Sequence, residues 1–340
     1  MTTLTAVGAV GAAAGTSAAG AASSSKITIG VDAITEASPN VLQQLAMIRK
    51  CAKLLGWKLV VLNANGTTTL MASDMSALVN QNVNGIIDIA ITPAVAPQGM
   101  AAAKAKGIPI IGEAAPLIDP KHLVAATYAP SDAKMSNMLA KRMIQVMHGK
   151  GQALTLADSA IPAIVIRTQT LRKDVKGTQI KVAAVHQVNL SNPVADTQTA
   201  VADSVHANQT INIVWALQDF EFSATLQTIK SQDLGNVGVF SYYLDPVDFG
   251  LLRADKGTTI PEAVADSPVY DSPWYVFDAF VNKFVLKKKD WITSMSIHPL
   301  PYVLVTPQNV QSSGTTYHYP SFQPFFVKRW KSEGVTVHPG

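Results

Sequence analysis

Short runs of β-branched and aliphatic residues alternate with longer amphipathic stretches along this chain from Lys26 onward. The pattern repeats about ten times, which is typical of parallel β-strands connected by α-helices. A length of 340 residues corresponds to about two domains at roughly 150 residues each. The sequence therefore predicts an α/β protein made of two lobes of similar construction.

The predicted elements fall into two successive cycles. The first cycle has strands at 26–31, 58–62, 85–90 and 108–112, a short strand ending at Thr127, and helices at 40–55, 69–82 and 95–106. The second has helices at 131–148, 163–175, 194–207 and 219–230, and strands at 152–157, 180–186, 211–216 and 236–240. Since no Ser/Gly-rich linker separates the cycles, we expect several short crossings, at 125–130, 265–268 and 300–305.

Residues 1–25 contain no charged residue and consist mainly of Ala, Gly, Ser and Thr. Residues 4–14 resemble the apolar region of a signal peptide, and Ala19-Gly20-Ala21 resembles a cleavage site, although the usual basic start is missing. The alternatives are a disordered, low-complexity tail or a gene start placed too far downstream. We expect a signal-peptide-like segment or a disordered tail here.

Charge and cysteine content exclude several classes of partner. The 27 basic and 23 acidic residues leave a net charge of +4, and the basic ones are scattered, so we expect no nucleic-acid partner. Cys51 is the only cysteine, which excludes an intrachain disulfide and a cysteine-built zinc site. No apolar window long enough for a membrane span follows residue 26.

The common catalytic and cofactor motifs are also missing. The sequence contains no phosphate-binding P-loop, no H-E-x-x-H and no G-x-S-x-G, and its 7 histidines are far apart. The first predicted strand runs into Asp32-Ala-Ile-Thr-Glu36 and not into a glycine-rich dinucleotide fingerprint. We therefore predict no enzyme activity, no cofactor and no metal.

Several segments carry a resemblance to a known family. They are KITIGV (26–31), CAKLLGWKLVVLNAN (51–65), NVNGIID (82–88) and AKGIPIIG (105–112), followed by Gln218-Asp219, ADSP (265–268) and PYVLVTPQNV (301–310). In order and spacing they resemble the type I periplasmic sugar-binding proteins, the ribose- and galactose-binding relatives that serve ABC transporters. The resemblance covers about residues 26–310.

The resemblance implies two doubly wound parallel-sheet lobes of the periplasmic binding protein type I fold, joined by three hinge crossings near Pro130, Asp266 and Leu300. The N-terminal lobe would comprise 26–129 plus 267–303, and the C-terminal lobe 130–266 plus 304–340. The cleft between the lobes would close on a small ligand.

Ligands of open α/β sheets bind beyond the carboxyl ends of the strands, so the loops after strands supply the candidate ligand-binding residues. In the first lobe these are Asp32, Ser38, Asn40, Thr92 and Glu113. Asn40 either contacts the ligand or caps the following helix. Relatives place stacked Phe residues near 38–42 and an Arg at the position of Ala114, and this chain has neither.

In the second lobe the candidates are Arg167, Asp219, Phe220, Tyr242 and Asp266. Arg167 matches the family's cleft arginines, or else lies at a helix end or on the surface. Asp219 occupies the family's Asn-Asp position, or else caps the helix at 219–230. Phe220, Tyr242, Tyr243 and Trp274 either form an aromatic wall or pack in the core.

The resemblance implies an extracytoplasmic, monomeric solute-binding protein in the periplasm or outside the cell. It would capture a small neutral polar ligand, a sugar or sugar alcohol, in the interlobe cleft for the membrane permease of an ABC importer. The alternatives are a ligand sensor of the same fold, a binder of a non-sugar ligand such as a nucleoside or aromatic compound, and an enzyme with a dispersed site. A repressor core of this fold would need an N-terminal helix-turn-helix, which 1–25 cannot form.

Overall fold

The computed structural model describes residues 27–113, 119, 121–159 and 161–340. The predicted signal-peptide-like segment, 1–25, lies outside the described residues, as does Ala114. Within those ranges, no helix is both long and apolar enough to cross a membrane.

The first lobe is built on a five-stranded parallel sheet. Its elements are β1 (Thr28–Ala33), α1 (Pro39–Leu55), β2 (Lys58–Asn63), α2 (Thr68–Asn80), β3 (Gly85–Ile89), α3 (Pro97–Ala105), β4 (Ile110–Glu113) and β5 (Ala126–Tyr128). The strand order is β2-β1-β3-β4-β5. Every residue of β3 is buried, as expected for a central strand covered by helices on both faces.

The second lobe repeats the design on a six-stranded sheet in the order β11-β10-β9-β8-β6-β7. Its elements are α4 (Asp132–Val146), β6 (Lys150–Ala157), α5 (Pro162–Asp174), β7 (Gln179–Gln187), α6 (Pro193–Ala207), β8 (Ile211–Ala216), α7 (Asp219–Ser231), β9 (Gly238–Tyr242), α8 (Pro246–Ala254), β10 (Glu262–Asp266) and β11 (Val303–Val305). Only β11 pairs antiparallel among the described strands. The predicted fold class, two α/β lobes with doubly wound sheets, is confirmed.

The chain passes between the two sheets at three places before α10. It leaves the first sheet after β5 and enters α4 through residues 129–131. After β10 it returns through the 3₁₀ turn Val269–Asp271 to α9 (Pro273–Phe280), which packs on α1, β4 and β5. Residues 300–302 then lead back to β11, which pairs with β10.

The C-terminal helix, α10 (Gln323–Ser332), departs from the predicted lobe boundary. We expected 304–340 to belong to the second lobe, yet α10 packs on α9 of the first. Trp274 lies 5.9 Å from Phe326 and 5.7 Å from Trp330, ring centre to ring centre. The Trp330 indole N–H also donates to Asp278 Oδ1 at 2.8 Å. The chain therefore crosses a fourth time, through 306–322, and the aromatic rings of α10 are buried against α9.

Candidate functional site

A cavity lies between the lobes, at the carboxyl ends of strands from both sheets. Its volume is about 90 Å³. The first lobe contributes Ile34, Thr35, Ser38, Asn40, Val41, Gln44 and Ala90; the second contributes Ile161, Ala163, Ile164, Arg167, Leu190, Pro193, Gln218, Asp219, Phe220 and Tyr243; Val269 follows the second crossing. This is the position at which open α/β sheets bind ligands.

Asp219, the first residue of α7, links the two lobes across this cavity. Its Oδ2 accepts hydrogen bonds from Ser38 Oγ at 2.6 Å, from the Asn40 backbone N–H at 3.1 Å and from Asn40 Nδ2 at 3.0 Å. Ser38 and Asn40 lie at the start of α1, so the N-terminal ends of two helices meet around one carboxylate. Partly positive helix N-termini favour a carboxylate in this position.

The N-cap residues of α1 and α7 are not the ones that the sequence suggested. Ser38, not Asn40, is the N-cap of α1, and its Oγ accepts the Val41 N–H at 3.3 Å. Gln218, not Asp219, is the N-cap of α7 and forms a capping box with Glu221. The capping alternatives for Asn40 and Asp219 are therefore wrong, and both side chains are directed to the interlobe contact.

Arg167 of α5 is buried beside the cavity and is held on several sides. Its Nε and Nη2 each lie 2.7 Å from Asp132 Oδ1, and its Nη1 donates to the Leu217 carbonyl. The guanidinium also lies over the rings of Tyr242, at 4.6 Å, and Tyr243, at 5.2 Å. The surface and helix-end alternatives are therefore wrong, and Asp132 compensates the arginine charge.

Two residues that line the cavity adopt a left-handed backbone. Ala90 follows β3 with φ 63°, and Tyr243 follows β9 with φ 61°. Their N–H groups donate to the carbonyls of Glu113 and Ala265, so each strand end is held by its neighbouring strand. A non-glycine residue in this conformation costs about 1–3 kcal/mol, and such residues cluster at functional sites.

Two buried polar atoms of the lining have no hydrogen-bond partner among the described residues. They are Gln44 Oε1 of α1 and the Tyr243 hydroxyl. Burial raises the pKa of Tyr243 well above its usual value, so the group is a neutral hydroxyl that can donate or accept. An unpaired buried polar atom costs about 1–3 kcal/mol, which a ligand hydroxyl or amide would relieve.

The predicted aromatic wall is only partly present. Phe220 lines the cavity. The Tyr242 ring is fully buried, and its hydroxyl donates to Ser136 Oγ at 2.8 Å, so it supports Arg167 from behind. Trp274 belongs to the aromatic cluster under α10. Tyr242 and Trp274 therefore pack in the core, whereas Tyr243 lines the cavity.

Asp32 and Glu113 lie inside the first lobe and not in the lining. Asp32 is fully buried in β1 and stands in register with Asp88 of β3. Burial raises the pKa of Asp32 to about 9, and the carboxyls of Asp88 and Asp74 add to the shift. Burial likewise raises the pKa of Glu113 well above its usual range. Burial therefore favours the protonated, neutral form of both carboxyls, and neither side chain reaches the cavity.

Asp266 and Thr92 lie near the cavity without lining it. At the second crossing, Asp266 accepts the Leu244 N–H at 3.2 Å and the Tyr319 hydroxyl at 2.7 Å. Burial raises the pKa of Asp266 to about 6. Thr92 lines a second chamber that adjoins the cavity. The structure therefore brings together Ser38, Asn40, Arg167, Asp219 and Phe220 of the ten predicted site residues.

Sequence reasoning missed the aliphatic part of the lining and the Gln44 side chain, whose Oε1 has no partner among the described residues. Ile34, Val41, Ile161 and Leu190 read as ordinary core residues, and Gln44 lies in the middle of a helical pattern. The only signal was position, since most of them follow strand ends or lie in the first turns of helices. Among the described residues, no three His, Cys, Asp or Glu side chains are placed to hold a metal ion.

Comparison with known proteins identifies the family. The model of the "Periplasmic binding protein domain" family matches residues 41–269. No curated protein sequence matches this chain.

Solved structures share the fold over most of the chain. A 5-methylthioribose transporter solute-binding protein from Thermotoga lettingae, in complex with 5-methylthioribose, has a TM-score of 0.74 at 17% identity, covering 92% of this chain and 96% of its own. A sugar ABC transporter protein from Yersinia enterocolitica has a TM-score of 0.74 at 15% identity, covering 91% and 96%. A carbohydrate transporter solute-binding protein from Agrobacterium radiobacter, in complex with D-arabinose, has a TM-score of 0.71 at 16% identity, covering 85% and 97%.

At such low sequence identities, structural similarity supports only the fold. The shared fold agrees with the two lobes described above. The family model spans well over half of the sequence and includes every described residue of the second lobe up to β10. The chain therefore belongs to the periplasmic binding protein domain family and has its type I fold.

Proposed function

We propose that this protein is an extracytoplasmic solute-binding protein that captures a small neutral polar ligand, a sugar or sugar alcohol, for the permease of an ABC importer. The observation that carries the proposal is that two buried polar atoms, Gln44 Oε1 and the Tyr243 hydroxyl, find no hydrogen-bond partner in the described part of the chain and belong to a cavity lined by both lobes. A ligand hydroxyl can donate to the first and exchange a hydrogen bond with the second.

The charges around the cavity favour a neutral ligand. Arg167 is the only cationic side chain of the described lining, and Asp132 already neutralises it at 2.7 Å. Asp219 of α7 adds a carboxylate to the lining. An anionic ligand would lose its hydration without gaining an unpaired cation, which makes its burial unfavourable.

Binding without catalysis fits the composition of the lining. The described lining residues include neither histidine nor cysteine, and the carboxylate oxygen that accepts the Ser38 hydroxyl also accepts two hydrogen bonds from Asn40. We therefore propose capture and release by lobe closure, with the protein acting as a monomer in the periplasm. The bound, closed form would be the state that a permease recognises.

A non-sugar ligand is the second candidate, and a specific observation favours it. About half of the lining is aliphatic or aromatic, and Ile34, Ile164 and Phe220 face the cavity from different elements. A nucleoside or a small aromatic alcohol would use these side chains more fully than an unsubstituted sugar.

A ligand screen by thermal shift on the full chain tests the proposal. Sugars, sugar alcohols, nucleosides, aromatic alcohols and the corresponding acids are compared at equal concentration. A ligand at about 100 times its dissociation constant stabilises the fold by about 2.7 kcal/mol and raises the melting temperature. Stabilisation by neutral hydroxylated compounds supports the proposal, and stabilisation by acids alone overturns it.

Uptake of the identified ligand, compared between cells that have the gene and cells that lack it, then separates transport from sensing.

A further inference from the structure

One end of the first lobe lies opposite the cavity, where the strands of its sheet begin. At this end α9 continues into the π-helical turn Val281–Val285. The Phe284 ring of this turn lies 6.4 Å from the ring of Trp57, the residue before β2. α10 ends at the same place, because Glu333 Oε2 lies 2.6 Å from Lys288 Nζ. Both helices therefore bring the segments that follow them to the amino ends of the strands.

Basic side chains gather at this end. Segments 281–292 and 328–340 contain seven lysine and arginine residues against two acidic ones, so they are more positive than the whole chain, whose net charge is +4. Lys53, in the last turn of α1, and Lys58, the first residue of β2, add two exposed lysines. The sequence suggested scattered basic residues, but the fold brings these together. We call the two segments, with Lys53 and Lys58, the basic pole.

The stability of the fold accounts for only part of this charge. Lys331 lies in the last turn of α10, where the partly negative helix end favours a cation. Lys288 is paired with Glu333. The side chains of Lys287 and Lys289 are exposed and form no hydrogen bond or ion pair with any residue in the described ranges. These two lysines are therefore available to an external anion.

Apolar side chains stand among the lysines of the basic pole. Val285 is 40% exposed and Ile292 is 43% exposed. Trp291 is half-buried, and Lys283 Nζ lies 4.6 Å from the centre of its ring. Lysines whose charged ends reach lipid phosphates, aliphatic groups that enter the acyl boundary and an indole at headgroup level are the combination that a membrane surface accepts.

The chain also enters the first lobe at the basic pole. The Lys58 N–H donates to the Ile27 carbonyl at 2.9 Å, so the 26 residues that precede Ile27 join the fold here. These residues include the apolar stretch 4–14. Contact of that stretch with a bilayer would bring the basic pole to the same surface.

We propose that the basic pole docks on anionic phospholipid at a membrane surface. Lipid phosphates pair with Lys287 and Lys289, while Val285 and Ile292 enter the boundary between headgroups and acyl chains. The cavity lies at the other end of the lobe, so docking leaves the cleft free to take up a ligand. The inference does not depend on the proposed function, because it concerns a different face of the molecule.

Flotation of the full chain with lipid vesicles tests the inference. Vesicles of phosphatidylcholine alone are compared with vesicles in which about one third of the lipid is phosphatidylglycerol, which makes the surface anionic. We expect binding to the anionic vesicles only, and weaker binding as salt is added, because salt screens exposed charges. Tryptophan emission should shift to shorter wavelength on binding, and Trp291→Phe should lose this shift while it still binds.

Two double variants with the same net charge locate the contact. Lys287→Gln with Lys289→Gln removes two exposed lysines of the basic pole, and Lys181→Gln with Lys256→Gln removes two exposed lysines of the second lobe. Each lysine close to an anionic surface contributes about fivefold to membrane affinity, so the first pair should weaken binding by about 25-fold. The second pair should bind as the unchanged protein does.

Several outcomes would overturn the inference. Equal binding by the two double variants would mean that the contact lies elsewhere, for instance in the residues before Ile27. Equal binding to neutral and anionic vesicles, or binding to neither, would remove the role of phospholipid charge. Retention on heparin without binding to the vesicles would assign the basic pole to another polyanion. None of these results bears on ligand capture, which the thermal-shift screen tests separately.

Discussion

The side-chain amide of Asn40 and the carboxylate of Asp219 form a 3.0 Å hydrogen bond that joins the two lobes. The residues are 179 positions apart in the chain and stand at the N-terminal ends of α1 and α7. With the Ser38 hydroxyl on the same oxygen, this contact links the two lobes through protein groups alone. If the lobes open and close around a ligand, this link is expected to favour the closed form.

Replacing Asp219 by alanine is expected to weaken closure and ligand binding together. The change removes the acceptor for three donors of α1, and a lost hydrogen bond to a charged group costs about 1.5–3 kcal/mol, or roughly 10- to 150-fold in affinity. Small-angle scattering of the ligand-free protein should show a larger radius of gyration, and calorimetry a weaker affinity. Direct contact between Asp219 and the ligand stays a prediction.

A matched control for this change is Asp203→Ala, on the exposed side of α6. It should leave both measurements unchanged. If Asp219→Ala has the radius of gyration and the affinity of the unchanged protein, the interlobe bond contributes nothing to closure.

Replacing Tyr243 by phenylalanine is expected to change stability and affinity in opposite directions. The hydroxyl is buried without a partner in the described part of the chain, so its removal should keep or raise the free energy of unfolding of the ligand-free protein, by up to about 1 kcal/mol. Affinity should fall by about 5- to 10-fold, because the ligand loses a hydrogen bond. Thermal unfolding and calorimetry measure the two effects.

The neighbouring change, Tyr242→Phe, serves as the comparison. That hydroxyl donates to Ser136 Oγ, so its loss should lower stability by about 1 kcal/mol. Equal destabilisation by both variants would mean that the Tyr243 hydroxyl has a partner in the folded protein.

The alternation of apolar runs predicted most of the fold because buried parallel strands require it. The strand expected at 211–216 is observed as Ile211–Ala216, and the helix expected at 40–55 as Pro39–Leu55. The short elements α8 and β10 were not predicted, since Pro and Asp interrupt the pattern between 245 and 266. Nor did the pattern indicate the return of α10 to the first lobe, because an amphipathic helix does not specify its partner.

The site could be predicted only in part, for related reasons. Asp219 was found because the carboxyl ends of parallel strands share one edge, but its partner in the other lobe depends on closure. Tyr242 was predicted as a site residue, but Tyr243 is the tyrosine that lines the cavity. Successive residues of a strand point to opposite faces, so an error of one position exchanges the ring in the core for the ring in the cleft. The left-handed backbone of Ala90 has no signature in its residue type.

Stability is expected to fall as the pH rises, because Asp32 is buried with its proton. The unfolded carboxyl has a pKa of about 3.9, whereas burial raises the folded pKa to about 9. Between these values the unfolded chain has lost a proton that the folded chain keeps, so stability decreases with rising pH until the folded group ionises. Asp32→Asn removes this one-proton contribution and should make the fall in stability between pH 5 and 9 less steep in urea-unfolding profiles, while other buried carboxyls such as Glu113 keep theirs. An unchanged slope, equal to that of Asp203→Asn, would show that Asp32 is ionised in the fold.

Truncating Trp330 is expected to destabilise the first lobe strongly, although the residue lies near the C terminus. Its ring is buried against Trp274 and its N–H donates to Asp278. Replacing a buried Trp by alanine costs about 3–5 kcal/mol, because apolar contact is lost and a cavity remains. Denaturant unfolding of Trp330→Ala should show this loss, whereas Lys331→Ala, at an exposed position of the same helix, should stay within about 0.5 kcal/mol of the unchanged protein. A small effect of both variants would mean that α10 is not part of the cooperative core, and the fourth crossing would then be dispensable for the fold.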